Sequence, residues 1–335
     1  MTNSHRVGLL NRMGASADDP LALAQWAEQA GYESFWLTDG GGRMDAITMA
    51  AAIAVKTSRI QIGLGVVPVY TRPPAIFATS ALALSRLAPE RVLFGLGSSH
   101  PGMVHDWYGQ PFEKTLTRVR ETVELLRSML AGERVDYDGE TLFSHGFRLA
   151  APVEGRLPLY VAALRPRMLE LAGEVADGVV LNLAPLEVLP RLLEHIDTGA
   201  KRSGRRVEDL DVACIFNTYV TGDPDAAVAQ FGRVSAFYYA MPAYNAFLAW
   251  CGYKDAARAL AETAAQGDRT AAAAVLSPEL IHKLAIIGDG DACRATVRAY
   301  QQAGLNTPIV GAVSHDPAEQ QATMEAFTPA AFPRQ

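Results

Sequence analysis

Short apolar runs alternate with longer stretches of helical periodicity along nearly all of this 335-residue chain, and that alternation constrains the fold more than any other feature. The runs fall at 7–10, 34–38, 59–67, 91–97, 159–163, 178–182, 210–220 and 308–311. Between them lie segments with apolar residues at helical spacing, predicted at 45–56, 74–87, 117–130, 166–175, 186–196 and 291–303. The first helix is marked by punctuation as well as period: Asp19 as N-cap, Pro20 at the first position and Gly31 past the end. Segment 134–149 differs. Asp138-Gly139 between two β-prone arms predicts a hairpin.

Eight β/α repeats in one chain of this length predict an α/β fold, a (β/α)8 TIM barrel forming a single domain over 1–335. A helical insertion is expected at about 223–290, between the seventh and eighth strands, covering the barrel mouth. The rival is an open doubly wound sheet. Its first turn would carry GxGxxG, whereas this one reads Asn11-Arg12-Met13-Gly14. The net charge of -6 is spread over mixed acidic and basic residues, which argues against nucleic acid as a partner. The three cysteines, Cys214, Cys251 and Cys293, follow no CxxC pattern, so neither a disulfide framework nor structural zinc is expected. No run is long and apolar enough for a signal peptide or a membrane span, and the expectation is a soluble cytoplasmic protein.

In a β/α barrel the chemistry sits just after each strand. After strand two comes Asp39-Gly40-Gly41-Gly42, where glycine lets backbone approach a ligand and Asp39 can orient it; a plain capping turn reads equally well. After strand three, Gly65-Val66-Val67-Pro68 invites a bulge or is simply a buried strand running into a proline turn. After strand four, Ser98, Ser99 and His100 form a polar cluster. His100 is the best-placed general acid or base, against the competing reading of a surface loop histidine. After strand five, Ala163-Leu164-Arg165 leads into a helix N-terminus, a candidate phosphate cradle or an ordinary turn with a solvated arginine. Asn182 follows strand six as a neutral hydrogen-bonding candidate.

Absences narrow the class. The seven histidines include no HxH or HxxxH pair, so no metal centre is expected. There is no GxSxG elbow, no Walker A loop and no lysine ending a strand. A barrel with so few acids, bases and metal ligands suits a bound redox cofactor that carries the chemistry itself.

Five stretches give a family resemblance: 32–39 (Tyr-Glu-Ser-Phe-Trp-Leu-Thr-Asp), 62–66 with Arg72-Pro73-Pro74, 91–99 running on through Trp107-Tyr108-Gly109, 171–180, and 236–244. In this order the chain resembles the luciferase-like flavin and deazaflavin oxidoreductases, most of all the coenzyme F420-dependent branch related to methylenetetrahydromethanopterin reductase. The resemblance implies a non-prolyl cis peptide at Gly65-Val66 against the cofactor ring, with Asp39, Ser98 and Ser99 around it. Ala163, Leu164, Arg165 and Gly178 would hold the phosphate end, and His100 stands where relatives have a catalytic acid. It implies hydride transfer between deazaflavin C5 and a small organic substrate by a homodimer or larger assembly. FMN-dependent monooxygenation and a non-catalytic flavin-binding barrel are the alternatives. Two positions depart from the pattern: Gly40 replaces a histidine that some dehydrogenases have, and Leu164 and Arg165 stand where glycine is common.

Overall fold

A computed structural model describes residues 6–11, 20–39, 42 and 44–333. The first turn, Asn11-Arg12-Met13-Gly14 after its opening residue, the Asp19 cap, Gly40 and Gly41 lie outside the described residues. The fold class is α/β, the eight-stranded parallel TIM barrel that the alternation predicts. The chain divides into two compact units. Of the described residues, those within 6–180 and 194–213 form one, and 181–193 with 214–333 form the other.

In the first unit β1 (Gly8–Asn11), β2 (Ser34–Leu37) and β3 (Gln61–Leu64) run parallel, with α1 (Pro20–Ala30) and α2 (Ala46–Lys56) as crossovers. The predicted strand 59–67 is broken: after β3 the chain turns at Gly65-Val66, and β4 (Val67–Pro68) pairs separately. Then come α3 (Pro74–Leu87), β5 (Val92–Gly97), α4 (Thr115–Leu130), the predicted hairpin β6 (Val135–Asp138) and β7 (Phe143–Phe147), β8 (Leu159–Ala162), α5 (Pro166–Val175) and β9 (Gly178–Asn182). β3 and β4 both pair with β5, β5 with β8, and β8 with β9, all parallel. The strand C-termini therefore share one edge, in the order β1, β2, β3, β5, β8, β9.

Aromatic side chains and glycines fill the interior together. Trp36 is fully buried, and a Cβ on Gly63 of β3 would lie 2.2 Å from its ring. Its Nε1 donates to Ser34 Oγ at 2.8 Å, and its ring meets Tyr160 edge-on, with centroids 5.7 Å apart. Tyr160 occupies the space a Cβ on Gly178 would need and donates to Asp211 at 2.8 Å. Side chains thus plug the interior.

After α6 (Leu189–Arg202) comes β10 (Asp211–Val220), which belongs to the second unit from Cys214 onward, and that unit then holds α7 (Pro224–Ala240), α8 (Pro242–Trp250), α9 (Lys254–Ala265), α10 (Arg269–Val275) and α11 (Pro278–Leu284). Sequence periodicity reads much of 223–266 as one helix; proline, glycine and capping residues cut it. Asp223, Asp268 and Ser277 each cap a helix through the side chain, and Pro224, Pro242 and Pro278 sit in first turns. The insertion ends in a strand that the sequence did not reveal, β11 (Ile286–Gly288), parallel to β10. Three residues are too few to show a period. α12 (Gly290–Gln302), β12 (Thr307–Ala312) and α13 (Pro317–Ala326) complete the chain. The helices of this unit pack on a core including Phe231, Tyr239, Leu248, Leu260 and Ile281. No helix among the described residues is long and apolar enough to cross a membrane.

Candidate functional site

The C-terminal ends of β2, β3, β5 and β8 are neighbours in the sheet, roughly 5 Å apart from one strand to the next. Asp39, Gly65-Val66, Ser98 to His100 and Ala163 to Arg165 therefore line one edge of the first unit.

Asp39 follows β2 with its side chain only 9% exposed. Its Oδ1 accepts from the amide of Ala46 at 3.3 Å, and its Oδ2 faces Arg72 Nη1 at 3.4 Å. Arg72 lies between β4 and α3, and its second nitrogen binds Asp45, the N-cap of α2. Tyr108 senses the same pair: burial first, then the Asp39 charge, push its phenol above the ordinary range, while Arg72 opposes them.

The Gly65-Val66 peptide is cis. Gly65 donates its amide to Leu37 O at 2.7 Å, which ties the turn to the end of β2. The opposite wall is glycine for a steric reason. A Cβ on Gly95 would lie 2.0 Å from Leu64 O and 2.9 Å from Val66 Cγ1, and one on Gly97 would lie 2.5 Å from Val66 Cγ2. β5 is stripped of side chains where the turn presses on it. Val66 is the half-exposed member of an otherwise buried stretch, so it presents a smooth apolar face at the strand edge.

Beyond β5, Ser98, Ser99 and His100 are all half-buried, and Ser99 adopts a left-handed backbone with φ 59°. Ser98 Oγ donates to Ser99 O at 3.3 Å. A short helical segment with a π-turn over Met103–Trp107 follows, and the Met103 amide donates to His100 Nδ1 at 3.4 Å. A ring nitrogen that accepts cannot carry the proton, so the neutral tautomer has hydrogen on Nε2. Burial pulls the His100 pKa below its ordinary value, which also favours the neutral ring.

After β8, Ala163 is buried and its amide donates to Val180 O at 3.1 Å, while Arg165 is exposed. Arg165 is the N-cap of α5 without a side-chain cap bond. Met168 and Leu169 both donate to its carbonyl, and Pro166 has no N–H. The helix start thus offers fewer amides than a glycine turn would, and the Arg165 charge becomes the larger attraction for an anion.

Gly178 needs correction. It does not join Ala163, Leu164 and Arg165 but opens β9 at the opposite end of that strand, where its lack of a side chain accommodates Tyr160. Arg72, Asp45 and Tyr108 are the residues that strand-end reasoning passed over. Arg72 follows a two-residue strand, and Tyr108 lies eight residues beyond His100, past the Met103–Trp107 segment, so neither is adjacent to a run that the sequence displays.

In the second unit Asn182 ends β9 and donates from Nδ2 to Tyr238 and Tyr244 at 3.0 and 3.1 Å, while its buried Oδ1 has no partner. Tyr239 is fully buried, and Phe237 is exposed. A separate cleft of about 270 Å³ lies on the outer helices of the first unit between Thr117, Arg120, Arg167, Glu170 and Arg202. Of its lining residues, Arg202 pairs with Glu170 at 2.5 Å and Arg120 pairs with the neighbouring Glu174 at 2.8 Å, and it holds none of the strand-end groups.

The model of the family "luciferase-like monooxygenase" matches residues 2–307. The chain is 31% identical to 5,10-methylenetetrahydromethanopterin reductase of Methanolobus tindarius, over 86% of this chain and 88% of that one. It is 28% identical to the F420-dependent glucose-6-phosphate dehydrogenase of Rhodococcus erythropolis, over 93% and 92%. Among solved structures, the coenzyme F420-dependent tetrahydromethanopterin reductase of Methanopyrus kandleri superposes with a TM-score of 0.80 at 27% identity, covering 97% of both chains.

Proposed function

The chain belongs to the luciferase-like monooxygenase family and is an oxidoreductase of that family, and we propose that it is a coenzyme F420-dependent enzyme that transfers a hydride between deazaflavin C5 and an organic substrate. The observation that carries this reading is the match, along nearly the full chain, to relatives whose names state F420 dependence.

The strand-end groups suit such a cofactor. Val66 and the glycine-lined wall behind it give a flat apolar rest for a planar ring. Asp39, Ser98 and Ser99 supply polar atoms for the ring's edge. The Ala163-Leu164-Arg165 turn, with the first turn of α5, offers positive potential for a phosphate-bearing tail. When bound, F420 supplies C5 as the carbon that gives or takes the hydride. This chain's residues do the rest: they hold the ring, exclude water and aim the substrate at one face. His100 supplies or accepts the proton that accompanies hydride transfer; with Nε2 carrying the proton of the neutral ring, either role requires Nδ1 to give up its 3.4 Å contact with the Met103 amide and take a proton there.

The test is equilibrium binding of F420 and of FMN to purified protein by fluorescence titration, followed by reduction and reoxidation of the bound cofactor. Tight F420 and weak FMN binding is the expected result. The reverse preference would replace the reading with FMN-dependent monooxygenation. Binding of neither would leave a non-catalytic barrel.

A further inference from the structure

Asp39 is held differently from an ordinary capping aspartate. Its side chain is 9% exposed, yet its two hydrogen-bonding contacts among the described residues, 3.3 Å to the Ala46 amide and 3.4 Å to Arg72, are both longer than a good hydrogen bond. A carboxylate has about four acceptor sites, so Asp39 keeps accepting capacity toward the strand edge. Asp45, by contrast, is tied down. It caps α2 by accepting from Thr48 N at 2.6 Å and binds Arg72 Nη2.

Arg72 is anchored on every side. Nη1 reaches Thr71 Oγ1 at 3.0 Å as well as Asp39, Nη2 holds Asp45, the guanidinium lies 6.0 Å from the centre of the Phe77 ring, and the side chain is 19% exposed. One planar fork thus spans two carboxylates from successive elements, β2 and α2. Only guanidinium has the geometry for this; an ammonium is a point charge.

We propose that Arg72 is a positioning residue. It bridges Asp39 to Asp45 and so aims the unsaturated face of the Asp39 carboxylate at the bound cofactor ring. The proposal rests on the reading of this strand edge as a cofactor site. Arg72 itself touches no reacting atom; it acts through Asp39.

A double-mutant cycle tests this: Arg72→Ala, Asp39→Ala and the pair, each assayed for F420 and FMN affinity, with Arg72→Lys and added millimolar guanidinium as further probes. Arg72→Ala should weaken cofactor binding by roughly ten- to a hundredfold, the range for losing a group that orients a ligand's contact. On the Asp39→Ala background the same change should cost little more, because its route is already gone. Guanidinium should restore part of the loss in Arg72→Ala and none in Asp39→Ala, and Arg72→Lys should behave like Arg72→Ala. Additive effects in the cycle, rescue by lysine, or a fall in thermal midpoint with affinity unchanged would overturn the proposal. Wild-type protein that binds FMN alone would overturn the F420 reading while the cycle still decides Arg72. Wild-type protein that binds neither cofactor would overturn both.

Discussion

Alanine at Gly95 and alanine at Gly97 probe the same wall, yet they should fail by different amounts. At Gly97 the new Cβ would sit 2.5 Å from Val66 Cγ2, with the next atom, Ala162 Cβ, at an ordinary 3.4 Å. The intrusion is about 1 Å into one side chain, an overpacking cost of about 1–3 kcal/mol. At Gly95 the obstacle is the Leu64 carbonyl oxygen at 2.0 Å, which is backbone of β3 and cannot rotate away. Gly95→Ala should therefore cost more than about 3 kcal/mol, a large part of the total stability of a domain. The entropy gained by replacing glycine, about 0.4–1 kcal/mol, offsets neither. Adding Val66→Ala supplies the control. It removes the clash at Gly97 but leaves Leu64 O in place. Urea unfolding, checked for reversibility, should show Gly97→Ala partly rescued by Val66→Ala and Gly95→Ala not rescued. Equal tolerance of the two alanines, or rescue of Gly95→Ala by Val66→Ala, would refute the packing argument.

Other expectations follow from single groups. Because burial lowers the His100 pKa, the neutral ring should persist below its ordinary value of 6.5, and a rate limb that needs neutral His100 should fall only at more acid pH; His100→Gln should abolish that limb, and an unchanged profile would remove His100 from the proton transfer. Glu121 is buried, which raises its pKa, but the Thr141 hydroxyl and the amides of Glu140 and Thr141 outweigh this and lower it. Its stabilisation is thus present above the unfolded carboxylate range and lost as pH falls through the lowered folded value, and Glu121→Gln should cost about 1–3 kcal/mol and flatten that acid dependence in denaturant melts. Gly178→Ala would place a Cβ 2.2 Å from the Tyr160 ring, so it should lower stability while leaving cofactor affinity of the folded protein unchanged; a selective loss of affinity would return Gly178 to the site.

The site was legible where it follows a recognisable strand. Asp39, Ser98, His100 and Arg165 each stand within a few residues of an apolar run, and knowing that barrels place chemistry there sufficed to select them as candidates, whereas Val66 became one only through the family resemblance. Gly178 was misplaced because a glycine beside a strand looks alike at either end; only the pairing of Tyr160 with Gly178 reveals which side chain needs the space. Arg72 stood only as part of a family stretch, with no place at the site, because its partners, Asp39 and Asp45, are 33 and 27 residues away in sequence. β11 escaped because three residues carry no period.

The sequence by itself determined the order of strands and helices, and with it the barrel class, because apolar period and capping chemistry are local properties that each segment carries alone. It also determined which strand ends carry polar groups. Only the tertiary structure decided that β5 carries glycine at 95 and 97 to admit Val66, that Gly178 serves Tyr160, and that Arg72 binds the start of α2 to the end of β2. Those are contacts between segments far apart in the chain. Excluded volume and charge pairing act through space, so no local pattern announces them.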